Sequence, residues 1–239
     1  MMWMGLIRPF HGLPKGGAKF LRELAANNNR DWFEANREVY QNELLQPMQA
    51  FVDALGMRLQ QTYPQLDFDP AANGSGSLTR IYRDVRFSKN KEPYKPWLAV
   101  RIWHGPFGRK VGPGFFVRIS PEGVGLFSGC WHFDKPILAA WREWVDRGTN
   151  MDQLGVAVAD MVARGVTGVG GLSYKRVPRG YDKDHPRADL LKHDGLYAIL
   201  DPLPAKAIHS KDLVEQCAVS LERVQKLHEW LVEFYEYVR

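Results

Sequence analysis

The order in which helix-like and strand-like segments follow one another constrains the fold of this chain most strongly. A short helix is predicted over residues 19–27, and a stripe of apolar residues with helical spacing runs through residues 29–60. Runs rich in β-branched and aromatic residues then occupy positions 79–83, 97–103, 115–119 and 124–131. The short spacing between the last three runs favours antiparallel hairpins.

The second half of the chain returns to helices and ends on one. Asp134 is a capping residue for a helix, and Asn150 with Gln153 is a capping-box pattern for the next helix. Residues 168–171 predict a flexible turn, strands are predicted over residues 173–177 and 196–200, and Ser210 is placed to cap one long final helix. Few strands follow a helical crossover, so we expect an α+β fold with a mainly antiparallel sheet packed by N-terminal, middle and C-terminal helices.

Length and composition agree with a globular protein. The 239 residues are 45% hydrophobic, which is ordinary for a packed core. We expect residues 1–17 to be an N-terminal extension and residues 18–239 to form a single α+β domain. No apolar run approaches the roughly 20 residues of a membrane span, and the N-terminus lacks the features of a signal peptide. These properties predict a cytoplasmic protein that does not bind membranes.

The positive charge is concentrated in two short stretches, which we name the first basic segment (residues 80–95) and the second basic segment (residues 175–192). Each carries six basic residues, against two acidic residues in the first and three in the second. The whole chain has 32 basic and 27 acidic residues, so the remainder has 20 and 22 and is slightly negative. This distribution predicts an anion site to which both segments contribute.

Arginine and lysine side chains in these segments are the predicted anion ligands. Arginine offers a planar fork that suits phosphate or carboxylate, and lysine supplies a point charge. The predicted anion-binding residues are Arg83, Arg86, Lys89, Lys95, Arg176 and Arg179. A solvated edge strand protected by its charges is the competing interpretation of the first segment.

Acidic, phenolic and imidazole side chains in the same segments are candidates for proton transfer or for orienting the cations. They are Asp84, Tyr94, Asp182 and His185. Asp182, Asp184 and His185 also resemble a divalent-metal half-site, although such residues are common in turns, and we predict no metal ligands. Cys130 and His132 lie two residues apart on a predicted strand, where a shared face does not imply chemistry.

Several well-known site motifs are absent from the sequence. Gly108-Arg-Lys110 lacks the upstream glycine and the Ser or Thr of a P-loop. The glycines of residues 168–171 precede a predicted strand, whereas a dinucleotide fingerprint follows one. Gly74-Ser-Gly76 is not a nucleophile elbow. The cofactor, if the protein uses one, therefore cannot be named from the sequence.

Four motifs occur in an order that resembles a known family. They are residues 29–37 (NRDWFEANR), 83–95 (RDVRFSKNKEPYK), 119–123 (ISPEG) and 178–186 (PRGYDKDHP). The chain resembles the domain-of-unknown-function family two-four-six-one, a conserved hypothetical family of bacteria and fungi, over residues 18 to 235. The resemblance implies one domain and implies no activity. Asn90 stands where the family commonly has Asp, and Ser128-Gly-Cys130 replaces a glycine-rich turn.

Three functions are compatible with these observations. The first is binding of, or catalysis on, a phosphorylated or nucleotide-like anion in a pocket lined by both basic segments. The second is single-stranded nucleic-acid binding, because Tyr82, Phe87 and Tyr94 alternate with cations in a way that suits stacking of bases. The third is a non-enzymatic interaction or scaffold module. The sequence leaves open the ligand, the oligomeric state and whether the protein is an enzyme.

Overall fold

The computed structural model describes residues 9–238, and the first eight residues of the predicted N-terminal extension lie outside the described residues. The N-terminal helices are α1 (Lys15–Ala26), α2 (Arg30–Ala35), α3 (Arg37–Val39) and α4 (Gln46–Gln60), with a π-helical segment over Tyr40–Leu45. The later helices are α5 (Lys135–Arg147), α6 (Met151–Ala163), α7 (Ala188–Leu191), α8 (Leu213–Glu222) and α9 (Gln225–Val238). Short 3-10 helices occupy Gly105–Phe107 and Ala205–His209.

The strands within residues 9–238 form one six-stranded antiparallel sheet. They are β1 (Leu66–Asp67), β2 (Leu98–His104), β3 (Gly114–Ser120), β4 (Gly123–Cys130), β5 (Gly168–Leu172) and β6 (His193–Pro204). Their order in the sheet is β1-β2-β3-β4-β6-β5, so β5 lies at an edge and pairs only with β6. The predicted α+β class with a mainly antiparallel sheet is confirmed.

Local signals placed most elements correctly. The Asp134 carboxylate accepts a hydrogen bond from the Ile137 amide at 3.1 Å and caps α5, as predicted. The predicted capping box at Asn150 is wrong. Asn150 adopts a left-handed conformation (φ 52°) and its side chain makes no cap. Its carbonyl instead accepts a hydrogen bond from Trp230 Nε1 at 3.2 Å, which fixes the turn before α6.

Two predicted strands are wrong. Residues 79–83 form only one isolated bridge, Tyr82 with Tyr94, because Pro93 on the opposite side cannot donate to a regular ladder. Residues 173–177 leave the sheet after the amides of Ser173 and Tyr174 both donate to the Lys192 carbonyl. The preceding residues 168–171, predicted as a flexible turn, are instead the core of edge strand β5.

The predicted single C-terminal helix is also wrong. Two helices are present instead, since α8 ends at Glu222 and α9 begins at Gln225. Between them the amides of Arg223 and Val224 donate to the carbonyls of Ser220 and Leu221. The Arg223 guanidinium at this break donates to the carbonyl of Arg164 at 2.8 Å. The residue at the break therefore holds the end of α6. No local sequence pattern predicts this contact, because the two residues are far apart along the chain.

The chain comprises two compact units. The first covers the described part of residues 1–102 with residues 116–126 and 202–219, and contains α1 to α4 and the first basic segment. Its core includes the aromatic residues Phe20, Phe33, Phe51 and Tyr94, all at most 2% exposed. The apolar stripe of α1 contributes Phe20, Leu21 and Leu24 to that core, which explains why this sequence forms a helix with one buried face.

The second unit covers residues 103–115 and 127–201 and the described part of 220–239, and contains α5, α6, β5, α7 and α9. Its core is an aromatic cluster in which Trp141 meets Trp230 and Phe234 edge-to-face. Such pairs add about 0.5–1.5 kcal/mol each beyond the area they bury. Trp141 Nε1 donates to the Leu190 carbonyl at 2.9 Å, so the core directly holds the end of the second basic segment.

Candidate functional site

The first basic segment is an irregular loop whose cations are largely satisfied within the loop. Arg86 makes a two-pronged hydrogen bond to Asp84, at 3.0 and 2.7 Å. Arg83 reaches Glu92 at 3.4 Å. The Lys91 and Lys95 ammonium groups donate to the carbonyls of Val85 and Arg80, and the Arg80 guanidinium donates to Asn73. Among the predicted anion ligands of this segment, Lys89 alone is exposed with no partner within residues 9–238.

The charges of the first segment are shifted by these internal contacts. The hydrogen bonds from Arg86 lower the pKa of Asp84, and the same pair raises the pKa of Arg86. Burial, and secondarily the nearby Arg83, lowers the pKa of Lys95. The predicted role of Asp84 as an orienting group for an arginine agrees with this geometry. The proximity of Lys95 and Arg83 leaves local positive charge that Glu92 partly offsets.

The aromatic residues of the first segment divide into packed and exposed ones. Tyr94, predicted as a candidate for proton transfer, is 2% exposed and its ring stacks on Phe33 with centroids 4.2 Å apart. Burial raises its pKa, which disfavours proton release. Both its backbone amide and its carbonyl are held by the Asn28 side chain, at 3.0 Å each. Phe87, by contrast, is 95% exposed at the loop tip.

The second basic segment is a loop closed at its base. The Lys192 carbonyl accepts hydrogen bonds from the Ser173 and Tyr174 amides at 3.1 and 3.0 Å, so the two ends of the loop meet. The Arg142 guanidinium lies over the face of the Tyr174 ring, 5.2 Å from its centroid, in a cation–π contact. The cations of the C-terminal half are engaged: Arg187 donates to the Val145 carbonyl, and Lys192 pairs with Asp189.

The cations of the N-terminal half of this loop have no such partners. Within residues 9–238, no hydrogen bond or ion pair engages the side chains of Lys175, Arg176 and Arg179, and all three are exposed. Asp182, the nearest acidic residue along the chain, uses its carboxylate to accept the Asp184 amide at 2.9 Å. The loop therefore presents three cations that its own acidic residues do not neutralise.

The remaining candidates of this segment act as turn residues. His185 Nδ1 accepts a hydrogen bond from the Arg187 amide at 3.0 Å, and its Nε2 lies 3.6 Å from Asp146. In the part of the chain that the structure describes, no group of three His, Cys, Asp or Glu side chains could hold a metal ion. The Asp182 and His185 side chains thus take part in the local hydrogen bonding of a turn.

A depression of about 300 Å³ lies at the base of the same loop, on the side of Ser173. The residues that line it follow β4 directly, lie in or just after β5, or lie in β6: Trp131, His132, Gly171, Leu172, Ser173, Asp194 and Tyr197. The Trp131 ring stacks on Tyr197 with centroids 4.5 Å apart and an interplanar angle of 19°, yet Trp131 stays 60% exposed. An exposed aromatic shelf beside polar groups is suited to holding a flat ring.

Asp194 is the polar centre of this depression. Its Oδ1 accepts a hydrogen bond from the Ser173 hydroxyl, and its Oδ2 lies 3.3 Å from His132 Nδ1. The Asp194 side chain is 19% exposed and that of His132 is 67% exposed. Burial, and secondarily Asp194, raises the pKa of Tyr197. Asp194 lies between Ser173 and His132. In a nucleophile triad the histidine lies between the serine and the acid, so these three residues are not such a triad.

Glycines permit the close packing under this shelf. A Cβ on Gly170 would lie 2.2 Å from the Tyr197 ring, so only glycine lets that ring lie across β5. Gly171, with φ +113°, would place a Cβ 2.0 Å from the Gly195 carbonyl oxygen. The glycine cluster that predicted a turn therefore lies against the Tyr197 ring, on which Trp131 stacks.

A comparison with known families accounts for the motifs. The sequence model of a family described as conserved hypothetical protein (DUF2461) matches residues 17–230, most of the chain. The chain belongs to the DUF2461 family. No curated protein and no solved structure matches it. Among the described residues of this DUF2461 member, no helix is both long and apolar enough to cross a bilayer.

The DUF2461 motifs and the depression overlap only in part. The two basic motifs lie in different compact units, and their predicted convergence on one pocket stays a prediction. The residues of the depression were missed by sequence reasoning, because Trp131, Ser173 and Asp194 are separated by more than 20 positions each. The one available signal was the glycine cluster of residues 168–171, because glycine within a strand often marks the close approach of another group.

Proposed function

We propose that this protein binds a small phosphorylated ring compound at the depression and the adjoining half of the second basic segment. The exposed Trp131, stacked on Tyr197 at the base of a loop with three unneutralised cations, carries the proposal. Lys175 follows Ser173 by two positions, so its Cα lies within about 7 Å along the chain. A ring on Trp131 and a phosphate on the loop are thus within reach of one ligand.

The cations supply the phosphate subsite. Arg176 and Arg179 offer guanidinium forks that bind phosphate oxygens through two parallel hydrogen bonds, and Lys175 adds a point charge. Because these side chains are exposed and unpaired in the described part of the chain, an anion would not have to displace an acidic partner. The predicted ligands Arg176 and Arg179 keep their role in this proposal.

The charge distribution orients such a ligand. Asp194 gives the depression a negative charge, whereas Lys175, Arg176 and Arg179 give the adjoining loop a positive charge. A phosphate is repelled from Asp194 and attracted to the loop, so the neutral part of the ligand faces the depression. This polarity favours a compound with a donor-bearing ring at one end and a phosphate at the other, and it disfavours a uniformly charged anion.

The first basic segment supports a different role, as a stabilising element of its own unit. The pairs Arg86–Asp84 and Arg83–Glu92 connect the loop to itself, and Asn28 with Tyr94 connects it to the linker between α1 and α2. In this proposal the first segment is the scaffold-like part of the molecule. Phe87, the exposed aromatic residue of that segment, is the place where a nucleic-acid role would have to reside.

Calorimetric titration with AMP, inorganic phosphate and a mixed single-stranded oligonucleotide tests the proposal. We expect AMP to bind more tightly than inorganic phosphate, because only AMP has a ring for Trp131. Trp131→Ala should weaken AMP binding about tenfold, since stacking of a base on an aromatic ring contributes roughly 1–3 kcal/mol. Phe87→Ala is the matched control, an exposed aromatic residue beside cations, and should leave AMP binding unchanged.

The opposite results would overturn it. Absence of binding of both AMP and ribose 5-phosphate to the wild-type protein, or equal binding of AMP by Trp131→Ala and wild type, would remove the depression as the site. Tight, salt-dependent binding of the oligonucleotide that Phe87→Ala abolishes would instead favour a nucleic-acid function at the first segment.

A further inference from the structure

We propose that the depression recognises adjacent hydroxyl groups of a sugar phosphate, and that Asp194 is the residue that reads them. This inference rests on the proposed function and names the substrate class within it. The shared chemistry is a phosphorylated pentose with two neighbouring hydroxyls, which a free sugar phosphate and a ribonucleotide both contain.

The hydrogen-bonding capacity of Asp194 points to a ligand that donates. An ionised carboxylate is an acceptor with about four lone-pair sites on its two oxygens. Ser173 uses one site on Oδ1, and His132 faces Oδ2. One site on each oxygen is then left for a ligand, which suits two donors side by side. Two vicinal hydroxyls provide such a pair of donors.

The neighbouring groups make the site still more demanding of donors. His132 Nδ1 lies 3.3 Å from Asp194 Oδ2 and occupies that side of the carboxylate. The Ser173 hydroxyl directs its O–H toward Asp194 and the Gly171 carbonyl, so that it faces a ligand as an acceptor. A ligand portion without O–H or N–H groups would leave the Asp194 carboxylate, whose side chain is only 19% exposed, without its remaining donors, which costs affinity.

Size and shape favour a single sugar ring in the depression. Its volume of about 300 Å³ is at the lower end of the usual range for ligand pockets. Trp131 supplies an apolar face beside the acceptors, which matches a ring with an apolar face and a hydroxyl-bearing edge. The 5-phosphate of a pentose would extend from that ring toward Lys175 and Arg176 at the start of the loop.

Ser173 is a positioning residue in this arrangement. Its hydroxyl holds Asp194 Oδ1, and its backbone amide is tied to the Lys192 carbonyl at the base of the loop. Ser173 therefore fixes the direction of the carboxylate relative to the loop cations. Loss of the Ser173 hydroxyl should reduce the preference for a ligand with two adjacent hydroxyls. The part of the binding free energy that comes from the phosphate should not change.

The test compares ligands that differ by one hydroxyl. Isothermal titration of the full chain with ribose 5-phosphate and with 2-deoxyribose 5-phosphate should give a Kd for ribose 5-phosphate that is lower by about tenfold or more, as expected for a hydrogen bond to a charged acceptor. AMP and dAMP form a second pair. A tighter Kd for ribose 5-phosphate than for AMP identifies a free sugar phosphate as the ligand, and the reverse identifies a ribonucleotide.

Variants assign the discrimination to Asp194. Asp194→Asn should reduce the ribose-to-deoxyribose ratio to within about twofold, because the charged acceptor is lost, and Ser173→Ala should reduce it partially. Asp201→Asn is the matched control, since Asp201 is an exposed carboxylate on the same strand β6, and it should keep the wild-type ratio. The Tm of each variant verifies folding, and Ser173→Ala keeps the test open if Asp194→Asn does not fold.

The outcomes separate this inference from the proposed function. Measurable but equal binding of ribose 5-phosphate and 2-deoxyribose 5-phosphate by the wild-type protein overturns hydroxyl recognition and leaves phosphorylated-ring binding standing. Retention of the full ratio by Asp194→Asn overturns the assignment to Asp194. Failure of all four ligands to bind overturns both proposals together.

Discussion

The two basic segments each contain six cations, but the structure uses those cations differently. In the first segment, five of the six donate to acceptors within or next to the loop, as ion pairs or carbonyl contacts of Arg80, Arg83, Arg86, Lys91 and Lys95. In the second, Lys175, Arg176 and Arg179 have no partner in the described part of the chain. The segments are equivalent in composition and unlike in available charge.

The difference comes from what the acidic residues do. Asp84 and Glu92 face the arginines of the first segment, whereas Asp182 satisfies a backbone amide in the second. Exposed ion pairs contribute little to stability, about 0–1 kcal/mol in typical measurements. Their consequence here is that they remove cations from the set that can bind a ligand. A charge count cannot register this, because it treats paired and unpaired cations alike.

Reversal of charge in each segment should give the largest contrast. Arg176→Glu with Arg179→Glu should weaken AMP binding by about a hundredfold or more, because each arginine contributes a charge-assisted hydrogen bond of about 1.5–3 kcal/mol. Arg83→Glu with Arg86→Glu should change AMP affinity by less than about threefold, because those two arginines are already paired with Asp84 and Glu92 and have no role in the proposed site. Calorimetric titration at 0.15 M salt measures both.

Equal losses from the two double variants would break the comparison. That result would mean that both segments bind one ligand, as predicted from the sequence. A control for nonspecific charge effects is Arg147→Glu, which alters an exposed arginine of α5 that is paired with Glu143. It should leave AMP affinity near the wild-type value.

The anchoring of the first segment predicts an effect on stability. Asn28→Ala removes both side-chain hydrogen bonds to the Tyr94 backbone. We expect a loss of about 2 kcal/mol in the free energy of unfolding and a fall in Tm of roughly 4–8 °C for a chain of this size. Differential scanning calorimetry measures it.

The matched control for this prediction is Asn42→Ala. Asn42 is exposed in the π-helical segment and accepts only a long contact from Gln46 at 3.3 Å. Its Tm should stay within about 1 °C of wild type, in line with surface substitutions elsewhere. If Asn28→Ala were equally neutral, the first segment would not be held by this contact, and its structural role would lose its main support.

The smallest effect concerns the exposed pair of Arg86 and Asp84. The hydrogen bonds from Arg86 lower the pKa of Asp84 below its ordinary value of 3.8. Their stabilising contribution is therefore fully present above pH 3.8 and is lost as the pH falls through the lower, folded-state pKa. Asp84→Asn should lower the Tm by about 2 °C or less at pH 7, and the difference should vanish in strong acid.

Thermal melts from pH 7 to pH 2 verify this behaviour, with Glu122→Gln as an exposed-carboxylate control that should show no change relative to wild type. A Tm difference for Asp84→Asn that grew toward low pH would contradict the assigned sign. Since this pair is exposed, a shift of many degrees at pH 7 would also show that the loop does more than pair its own charges.

Sequence reasoning captured what local chemistry determines. The Asp134 cap, the hairpin strands β2 to β4 and the α+β class all follow from residues that are close along the chain. The edge strand β5 was missed because its glycines are required by the Tyr197 ring, which is contributed by a distant strand. The two C-terminal helices were predicted as one because Arg223 is engaged by Arg164, about 60 positions earlier.

The candidate site divides in the same way. Arg176 and Arg179 were named from their charge and remain in the proposed site. Trp131, Ser173 and Asp194 were not named, because their association depends on strand pairing between β4, β6 and β5 and on the departure of the chain from the sheet at Ser173. Tyr94 was named for its hydroxyl, and the structure assigns it to the core.

The central claim is that the second basic segment binds ligand and the first does not. Two-dimensional amide NMR during titration with AMP tests it residue by residue. The account predicts shifts in the amides of residues 131–132, 173–180 and 194–197, with residues 80–95 unchanged. Shifts confined to residues 80–95, or of equal size in both segments, would contradict it.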